Sequence, residues 1–498
     1  MMKNIQYNNR QLYTLRYVVL IALTWLGLTS CNKQLDELRP HNVIFEERQF
    51  DTPSGYSKAV SGIYNLIAVG SESAIGVGFT DLQIFLSEAR GNTIRALDAE
   101  VNRNTDLFDY INSSNRDLSY TYAFWRNSYN VMLHINKVLA NVKDDETNPV
   151  ILQAKAEALF LRGYIYFNLV RLYGMPFYQG NGNSLGVMLV VNDEFAPGLA
   201  PKRATVAEIY EQVVSDLKTS VPLFKQQKSN SYASSSSAEA LLSRVELYRG
   251  GTFSLPNNEA NQKAFEYADK VIRQGGYELI QGDAFKKYYD TDNLNNKEDI
   301  FAINGEFMNG LIANLFKMPS QINYTGGLYR PSPYLLSLFD EKDLRKAFYV
   351  ENITPGFPED HLACNKYNIG YASLYSRSPY RYLRLAEMYL NRAEASVKLG
   401  KNAAALADVN IIRKRAGLTA LENLAGEALF KEILKQRKIE LAFEGHASYD
   451  EFRNGLSMVR DYASGKSSSM TVQPTEGKIL MKIPDEEIAS NPNLVQNP

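Results

Sequence analysis

The sequence predicts a mainly α-helical protein, a stacked array of paired helices carrying one irregular, loop-rich subdomain. Three observations predict it. The stretch QAKAEALFLRGYIYFNLVRLYG, residues 153–174, is apolar along two opposed stripes when read at about 100° per residue. Ala154, Ala158, Leu161, Ile165, Leu169 and Leu172 make one stripe; Ala156, Phe160, Gly163, Phe167 and Val170 make the other. A helix at the edge of a globule needs one apolar face, so two opposed faces require a helix packed on each side. Further segments of helical period recur before and after this one, separated by short turns. Between residues 277 and 378 the texture changes to short Tyr- and Asn-rich pieces broken by glycine and proline.

Taken in order, the chain opens with Lys3, Arg10 and Arg16 ahead of the apolar run Tyr17 to Leu28. That run is too short to span a bilayer comfortably and has the pattern of a secretory signal. It leads into LTSC, Leu28 to Cys31, which resembles the lipobox of bacterial lipoproteins. Cleavage before Cys31 and lipidation of its thiol would anchor the body to a membrane surface. Residues 1–30 are therefore expected to be a signal peptide, 31–48 a lipidated tether, 49–276 a helical region, 277–378 the irregular subdomain and 379–498 a second helical region.

Helices are expected over residues 54–68, with Tyr56, Val60, Ile63, Tyr64 and Ile67 on one face, and over 119–142. The second carries Trp125, Tyr129, Met132 and Asn136 on one stripe. Trp125 could stack on a sugar, but a place in an apolar stripe favours the core; Asn136 is expected to hydrogen-bond a neighbouring helix. The helix over 153–174 should stop at Gly174, with Pro176 beyond. Others are expected at 205–217, capped by Thr205, and at 238–248 and 261–274. Residues 87–106, dense in Asn, Arg and acid, read as an exposed loop, and SNSYASSSSAE, 229–239, as a flexible one. Helix resumes at Pro379 and stops at Gly400; Asn402 caps the next, and 427–443 gives one last amphipathic helix before an extended or irregular end.

Composition excludes several functions. With 54 basic and 55 acidic residues the net charge is -1, and no basic stripe suggests a nucleic-acid partner. Cys31 and Cys364 are the two cysteines, which leaves neither a disulfide framework nor a cysteine metal site. His41, His134, His361 and His446 are scattered without metal-binding spacing, so no metal and no cofactor is expected. A glycosidase needs two carboxyls roughly 5 to 9.5 Å apart across a cleft. Glu440 and Glu444 lie one helical turn apart, but structural ion pairs with Arg437, Lys438 or an arginine of the preceding helices are the better reading. With 32 tyrosines against 2 tryptophans, any stacking on sugar rings would fall to tyrosine. The candidate ligand residues are Asn323, Tyr324, Tyr329, Arg330 and Tyr334 in one glycine-broken stretch, Arg90, Asn92 and Arg95 in the other, and Tyr288 and Tyr289; Tyr367, Tyr371 and Tyr375 are further possibilities.

Several strings together resemble the SusD/RagB family of Bacteroidetes outer-membrane lipoproteins. CNKQLDELRP follows the lipobox; Trp125, Tyr129 and Asn136 fit a W-x3-Y-x6-N helix; AEALFLRGYIYF, RLAEMYLNRAEA and the Asn410–Gly417 segment follow in family order, and Pro484 to Pro492 matches the ending. The family's E-R-R-x-E-x-x-x-E-G-x-R segment departs here: Glu440, Glu444 and Gly445 stand, but Gln436 replaces an acid and Ala447 an arginine. The resemblance implies a tetratricopeptide-like scaffold with an irregular ligand face and no enzymatic activity. It also implies a nutrient glycan as ligand and, as partner, a SusC-like, TonB-dependent transporter under a lipid-anchored protein on the cell surface. The same fold holding a peptide, or acting as a structural adaptor, is the alternative.

Overall fold

Covering both faces of one long helix requires neighbours on each side, and that requirement organises the molecule. The computed structural model describes residues 48–70, 77–96, 105–111, 120–192, 200–289, 296–303, 311–316, 329–351, 362–367, 379–462 and 469–498. Cys31, the signal and nearly all of the tether lie outside them, as do Asn323, Tyr324, Tyr371 and Tyr375. Residues Met1–Thr52 form a unit apart from Pro53–Pro498. Of the first, the described residues make a turn in which Arg48 Nε donates to Asp51 at 3.4 Å.

In the second unit the chain begins with α1 (Pro53–Val69) and α2 (Phe79–Glu88), then the short strand β1 (Ile94–Ala96). Helices α3 (Tyr120–Ala140) and α4 (Pro149–Tyr173) follow as a hairpin. Asn148 starts α4 by accepting from Val150 N at 2.9 Å, with Pro149 in the first turn. Both apolar stripes of α4 are buried, against α1 and α3 and against a following helix, Val206–Ser220. Gly174 does end α4, though in an extended rather than a left-handed conformation. A Cβ there would sit 2.7 Å from Val206 Cγ2 and 3.0 Å from Val170 O, so glycine is needed for close approach.

A hairpin of β2 (Leu185–Met188) and β3 (Arg203–Thr205) leads into α5 (Val206–Ser220). Thr205 and Glu208 close a reciprocal capping box there. The serine run expected to be a flexible loop instead opens α6 (Ser235–Arg249), because Ser234 and Ser237 make the same reciprocal bonds. Helix α7 (Asn258–Gln274) packs between α6 and a later helix, Leu385–Lys398, and β4 (Asp299–Ile303) follows. Strand β5 (Tyr329–Pro331) and the short helix α8 (Pro333–Ser337) come next, then the pair β6 (Tyr349–Glu351) and β7 (Leu362–Cys364).

The expected helical start at Pro379 is corrected: Tyr380–Arg384 is a strand, β8, fully buried and paired antiparallel with β4. Helix begins only at α9 (Leu385–Lys398), which turns through Gly400 at φ +75° into α10 (Asn402–Arg415). Asn402 does not cap α10. Its Oδ1 accepts from Gly426 N at 2.9 Å, tying that helix to the start of α11 (Gly426–Leu441). Helix α12 (Ala447–Arg453) and the hairpin of β9 (Met458–Arg460) and β10 (Met470–Val472) complete the body. The irregular end contains one short helix, Asp485–Ser490. All five strand pairs among the described residues are two-stranded and antiparallel. The result is mainly helical, paired helices bearing an irregular insertion.

Two further expectations concern buried polar groups. Trp125 is 1% exposed and sits edge-on to Tyr173, so its role is core. Asn136 donates to the carbonyls of Val190 and Asn192 and accepts from Arg162 of α4 at 3.2 Å. It joins two helices and a loop.

Glu440 and Glu444 are buried in an ion network rather than facing a cleft. Arg384 donates to Glu440 Oε1 and to Glu444 Oε2, each at 2.7 Å. Arg415 bonds Glu440 and reaches Glu298 at 2.7 Å; Arg345 bridges Asp343 and Glu440; Lys366 Nζ lies 2.6 Å from Glu444. The cations thus come from β8, α10 and the irregular segment: Arg415, on the preceding helix, is among the expected partners, whereas Arg437 and Lys438 pair with Asp450 and Glu451 instead. Gln436, in the place of an acid, accepts from Arg345 at 2.7 Å and donates to Glu432 at 2.9 Å. Ala447, in the place of an arginine, faces Gly91 so closely that a Cβ on Gly91 would come within 2.3 Å of the Ala447 methyl.

Candidate functional site

The segment expected to be an exposed loop, 87–106, is buried from Ser87 to Ala96 apart from the half-buried Arg95. Glu88, Arg90, Asn92 and Thr93 are all 3% exposed or less, because each meets a backbone group of a distant segment or a local partner. Glu88 accepts from the amides of Gly445 and His446, Asn92 Nδ2 donates to Val459 O, and Arg90 donates to Lys478 O at 2.9 Å. A polar side chain buried with its hydrogen bonds made is stable, and here such chains pin the ligand-face candidate loop to the second helical region.

From that anchor β1 pairs antiparallel with β5, Ile94 opposite Pro331, Arg95 opposite Arg330 and Ala96 opposite Tyr329. The ladder continues where Ser332 N donates to Thr93 O at 2.9 Å. Ser332 Oγ then donates to Asn92 O at 2.6 Å and caps α8 by accepting from Leu335 N at 3.0 Å. This fixes Tyr334, in the first turn of α8, beside α11. Lys438 Nζ lies 4.9 Å over the Tyr334 ring, held there by Asn92 Oδ1 at 3.1 Å and by Glu451.

Between α8, α11 and α12 is a cavity of about 260 Å³, lined by Thr93, Tyr334, Leu338, Leu434, Lys435, Lys438, Leu441, Ala442, His446 and Glu451 among others. Mostly apolar walls with a few converging polar groups are the usual make-up of a ligand pocket. Its size is just under the range for drug-sized ligands, roughly 300–1,000 Å³, so it accommodates part of a ligand rather than the whole. His446 is buried at its wall, and Nδ1 has no hydrogen-bond partner. Burial first, then Arg244, Arg437 and other arginines, hold the imidazole well below its usual pKa. The ring is therefore neutral near pH 7 and can meet a hydroxyl as acceptor or donor.

Arg95 and Arg330 lie two residues along the ladder from Thr93 and Ser332, hence on the same side of it, about 7 Å away. Arg330 is 1% exposed, and none of its three guanidinium nitrogens has a hydrogen-bond partner. Burial, reinforced by the neighbouring Arg95, pushes it down to about 10.

The sequence-predicted ligand residues therefore divide. Tyr334 lines the cavity, and Arg95 is partly exposed two residues along the ladder from the lining residue Thr93. The others that are described are buried inside the protein, and all of these but Arg330 have their polar groups or rings engaged by protein partners. The Tyr288 hydroxyl bonds Asp299, and Tyr289 donates to Glu444 at 2.8 Å. Tyr329 stacks on Phe108 with ring centres 5.0 Å apart, Tyr367 donates to Phe443 O, and Arg90 lies over the Tyr110 ring. Asn92 spends its amide on Val459 and Lys438. Aromatic content alone did not separate a sugar platform from a core; hydroxyls already bonded inside the protein do. His446 was passed over because it lacks metal spacing, and its signal is that it directly follows Glu444-Gly445 at the entry to α12.

Comparison with known proteins bears on both ends of this site. The family model described as SusD family matches residues 340–498. A second, described as starch-binding associating with outer membrane, matches residues 80–247. SusD-like protein P2 of Formosa agariphila is 26% identical over 97% of this chain and 99% of its own length. A crystal structure of a SusD superfamily protein from Bacteroides thetaiotaomicron superposes with a TM-score of 0.78 at 26% identity, covering 90% of this chain and 100% of the other. A sugar binding protein, so named as putative, from Bacteroides vulgatus superposes with a TM-score of 0.75 at 26% identity, over 89% and 98%. With its helical array, its ordered motifs and relatives matched over nearly their whole length, the chain belongs to the SusD family.

Proposed function

We propose that this protein is a surface lipoprotein that binds a nutrient oligosaccharide noncovalently and delivers it to a SusC-like, TonB-dependent transporter of the outer membrane. The observation that carries the reading is the cavity beside Tyr334 and His446, where the irregular segment meets the second helical region. Its apolar walls suit the C–H faces of a sugar, the Tyr334 ring supplies a stacking surface, and His446 and Lys438 meet hydroxyls. Membership of a family in which one model is described as starch-binding and associating with the outer membrane supports the same ligand class and location. Lipidation at Cys31 supplies the anchor.

The capture involves no covalent step. Glu440 and Glu444, the carboxyls spaced like a glycosidase pair, are locked against Arg384 and Lys366. Burial opposes their charge, but Arg415, Arg384 and Arg345 outweigh it at Glu440, and Arg384 and Lys366 do so at Glu444, so both carboxyls are held below their usual range. A carboxylate kept ionised in this way cannot serve as general acid.

The test is a glycan array followed by calorimetry with the full chain in detergent. Binding without release of new reducing ends is expected, and Tyr334→Ala should weaken it at least tenfold while leaving the circular-dichroism spectrum unchanged. A chain that binds no glycan, or that cleaves one, would refute the reading. For the anchor and partner, Cys31→Ala should move the protein out of the membrane fraction, and co-purification should recover a large TonB-dependent barrel.

A further inference from the structure

We infer that the saccharide taken at this site is acidic, its carboxylate or sulfate oxygens being received by the guanidinium of Arg330, which lies across a strand pair from Arg95. The inference rests on the reading of the chain as a glycan binder and narrows its substrate class.

The ground for it is how this protein treats its other buried arginines. Arg244 is bonded to Glu387, Arg345 to Asp343, Arg384 to Glu440 and Glu444, and Arg437 to Asp450. Arg90 and Arg460 donate to backbone carbonyls, Lys478 O and Gly91 O. Arg330 is as deeply buried as these, yet its Nε, Nη1 and Nη2 all lack an acceptor. A buried guanidinium left in this state is costly, and folds resolve it by pairing or by substitution.

Folding also places Arg330 directly across an antiparallel ladder from Arg95. Like charges opposite one another disfavour a strand pair, so Arg95 gives Arg330 no compensation for its buried charge. The groups that perturb Arg330 are burial and Arg95; no carboxylate is among them. The Arg330 guanidinium, its three nitrogens without acceptors, presents N–H donors in the fork that carboxylate and sulfate oxygens match. The pair lies on the same side of the ladder as Thr93, which lines the cavity. A ring held against Tyr334 would thus carry its acidic substituent, or its neighbour's, toward Arg330, entering past the partly open Arg95.

The experiment uses the full chain on an array of neutral, uronate-containing and sulfated oligosaccharides. Matched pairs then follow in calorimetry: oligogalacturonate against its methyl ester, and a sulfated galactan oligosaccharide against its desulfated form. The acidic member of one pair should bind at least tenfold more tightly, and which pair responds distinguishes carboxylate from sulfate. The preference should shrink with added salt and disappear in Arg330→Gln, while binding of the neutral member is unchanged. Arg330→Gln should melt at the same temperature as the wild type or higher, since it removes an unpaired buried charge; an arginine with a structural role would lower it. Arg95→Gln provides a second variant, expected to reduce the same preference. Binding of neutral glycans with no acidic preference, or a preference that survives both variants, would overturn the inference and leave glycan binding standing. Binding of no glycan at all would overturn both.

Discussion

Glu440→Gln is the sharpest test of what holds the irregular segment to the helices. The substitution keeps shape and an acceptor oxygen but removes the charge that Arg384, Arg415 and Arg345 share. The cluster balances four cations, Arg345, Arg384, Arg415 and Lys366, against four acids, Glu298, Asp343, Glu440 and Glu444. Neutralising one acid leaves an uncompensated positive charge in the core. At an effective dielectric of about 20, each close pair lost is worth about 4 kcal/mol. The burial penalty of the removed carboxylate, several kcal/mol, offsets part of this. A net loss of about 3–5 kcal/mol is expected, in line with the cost of breaking a buried ion pair from one side. Urea unfolding at pH 7, followed by circular dichroism, reads it directly. The pH dependence gives a second reading. Because the folded state depresses Glu440, its stabilisation is present above the unfolded-state value, near 4.5, and is lost as pH falls below it. The wild type should lose stability on acidification, and Glu440→Gln should lose less. A variant as stable as the wild type at pH 7 would refute the argument that this network carries the junction.

Four shorter predictions follow from the same geometry. Trp125→Ala removes a ring that is 1% exposed and packed on Tyr129 and Tyr173, and should cost about 3–5 kcal/mol by urea unfolding. Asp81 is buried, and burial outweighs its bonds from Tyr380 and Ile312 N to push its carboxyl up to about 6. The sign is then opposite to that of Glu440: its contribution is full below about pH 4 and lost as pH rises to about 6, so Asp81→Asn should flatten a fall in stability across that window, read as melting temperature against pH. Gly91→Ala forces a methyl within 2.3 Å of the Ala447 side chain and should destabilise by about 1–3 kcal/mol, measurable by thermal melting. Thr205→Ala opens the capping box of α5 and should cost about 1 kcal/mol in the same assay.

What the sequence revealed and what it hid follow one physical division. Helix α4 was legible because its two stripes are local, and periodicity is a local signal. The same holds for the core place of Trp125, the Thr205 cap and the reading of Glu440 and Glu444 as structural. The failures are cases where a distant partner decides. Arg90 and Asn92 look solvated until carbonyls from Lys478 and Val459 are brought to them. Ser234 to Ser237 read as a linker by composition, yet two of these serines cap each other's turn and start a helix. Tyr380–Arg384 could continue a helix on pattern alone, but β4 offers a strand edge and claims it. Tyrosine-rich composition pointed to a ligand face, and most of the described candidates proved to be core, because a buried hydroxyl with an internal partner is as stable as an exposed one.

The two polar systems of the molecule differ in a way that ties structure to role. In the Glu440 cluster every charge has its opposite within the protein, and the elements it joins, β8, α10, α11 and the segment around Arg345 and Lys366, are held in one register. A few residues away, Asn92 and Ser332 use the same economy of hydrogen bonds to fix β1, β5 and α8. Only after that rigid frame is in place does the chain leave a guanidinium and an imidazole nitrogen without partners, at Arg330 and His446. Groups left open on a rigid frame are preorganised: a ligand that satisfies them does so without reordering the protein, and affinity rises because that cost has already been met in folding. Softening the frame while leaving Arg330 and His446 intact, as Ser332→Ala would by removing the α8 cap and the bond to Asn92 O, should therefore weaken ligand binding without touching a ligand-facing atom. Calorimetry on that variant against Arg330→Gln separates the two effects: loss of the frame lowers affinity for acidic and neutral saccharides alike, whereas loss of the guanidinium lowers it for acidic ones alone.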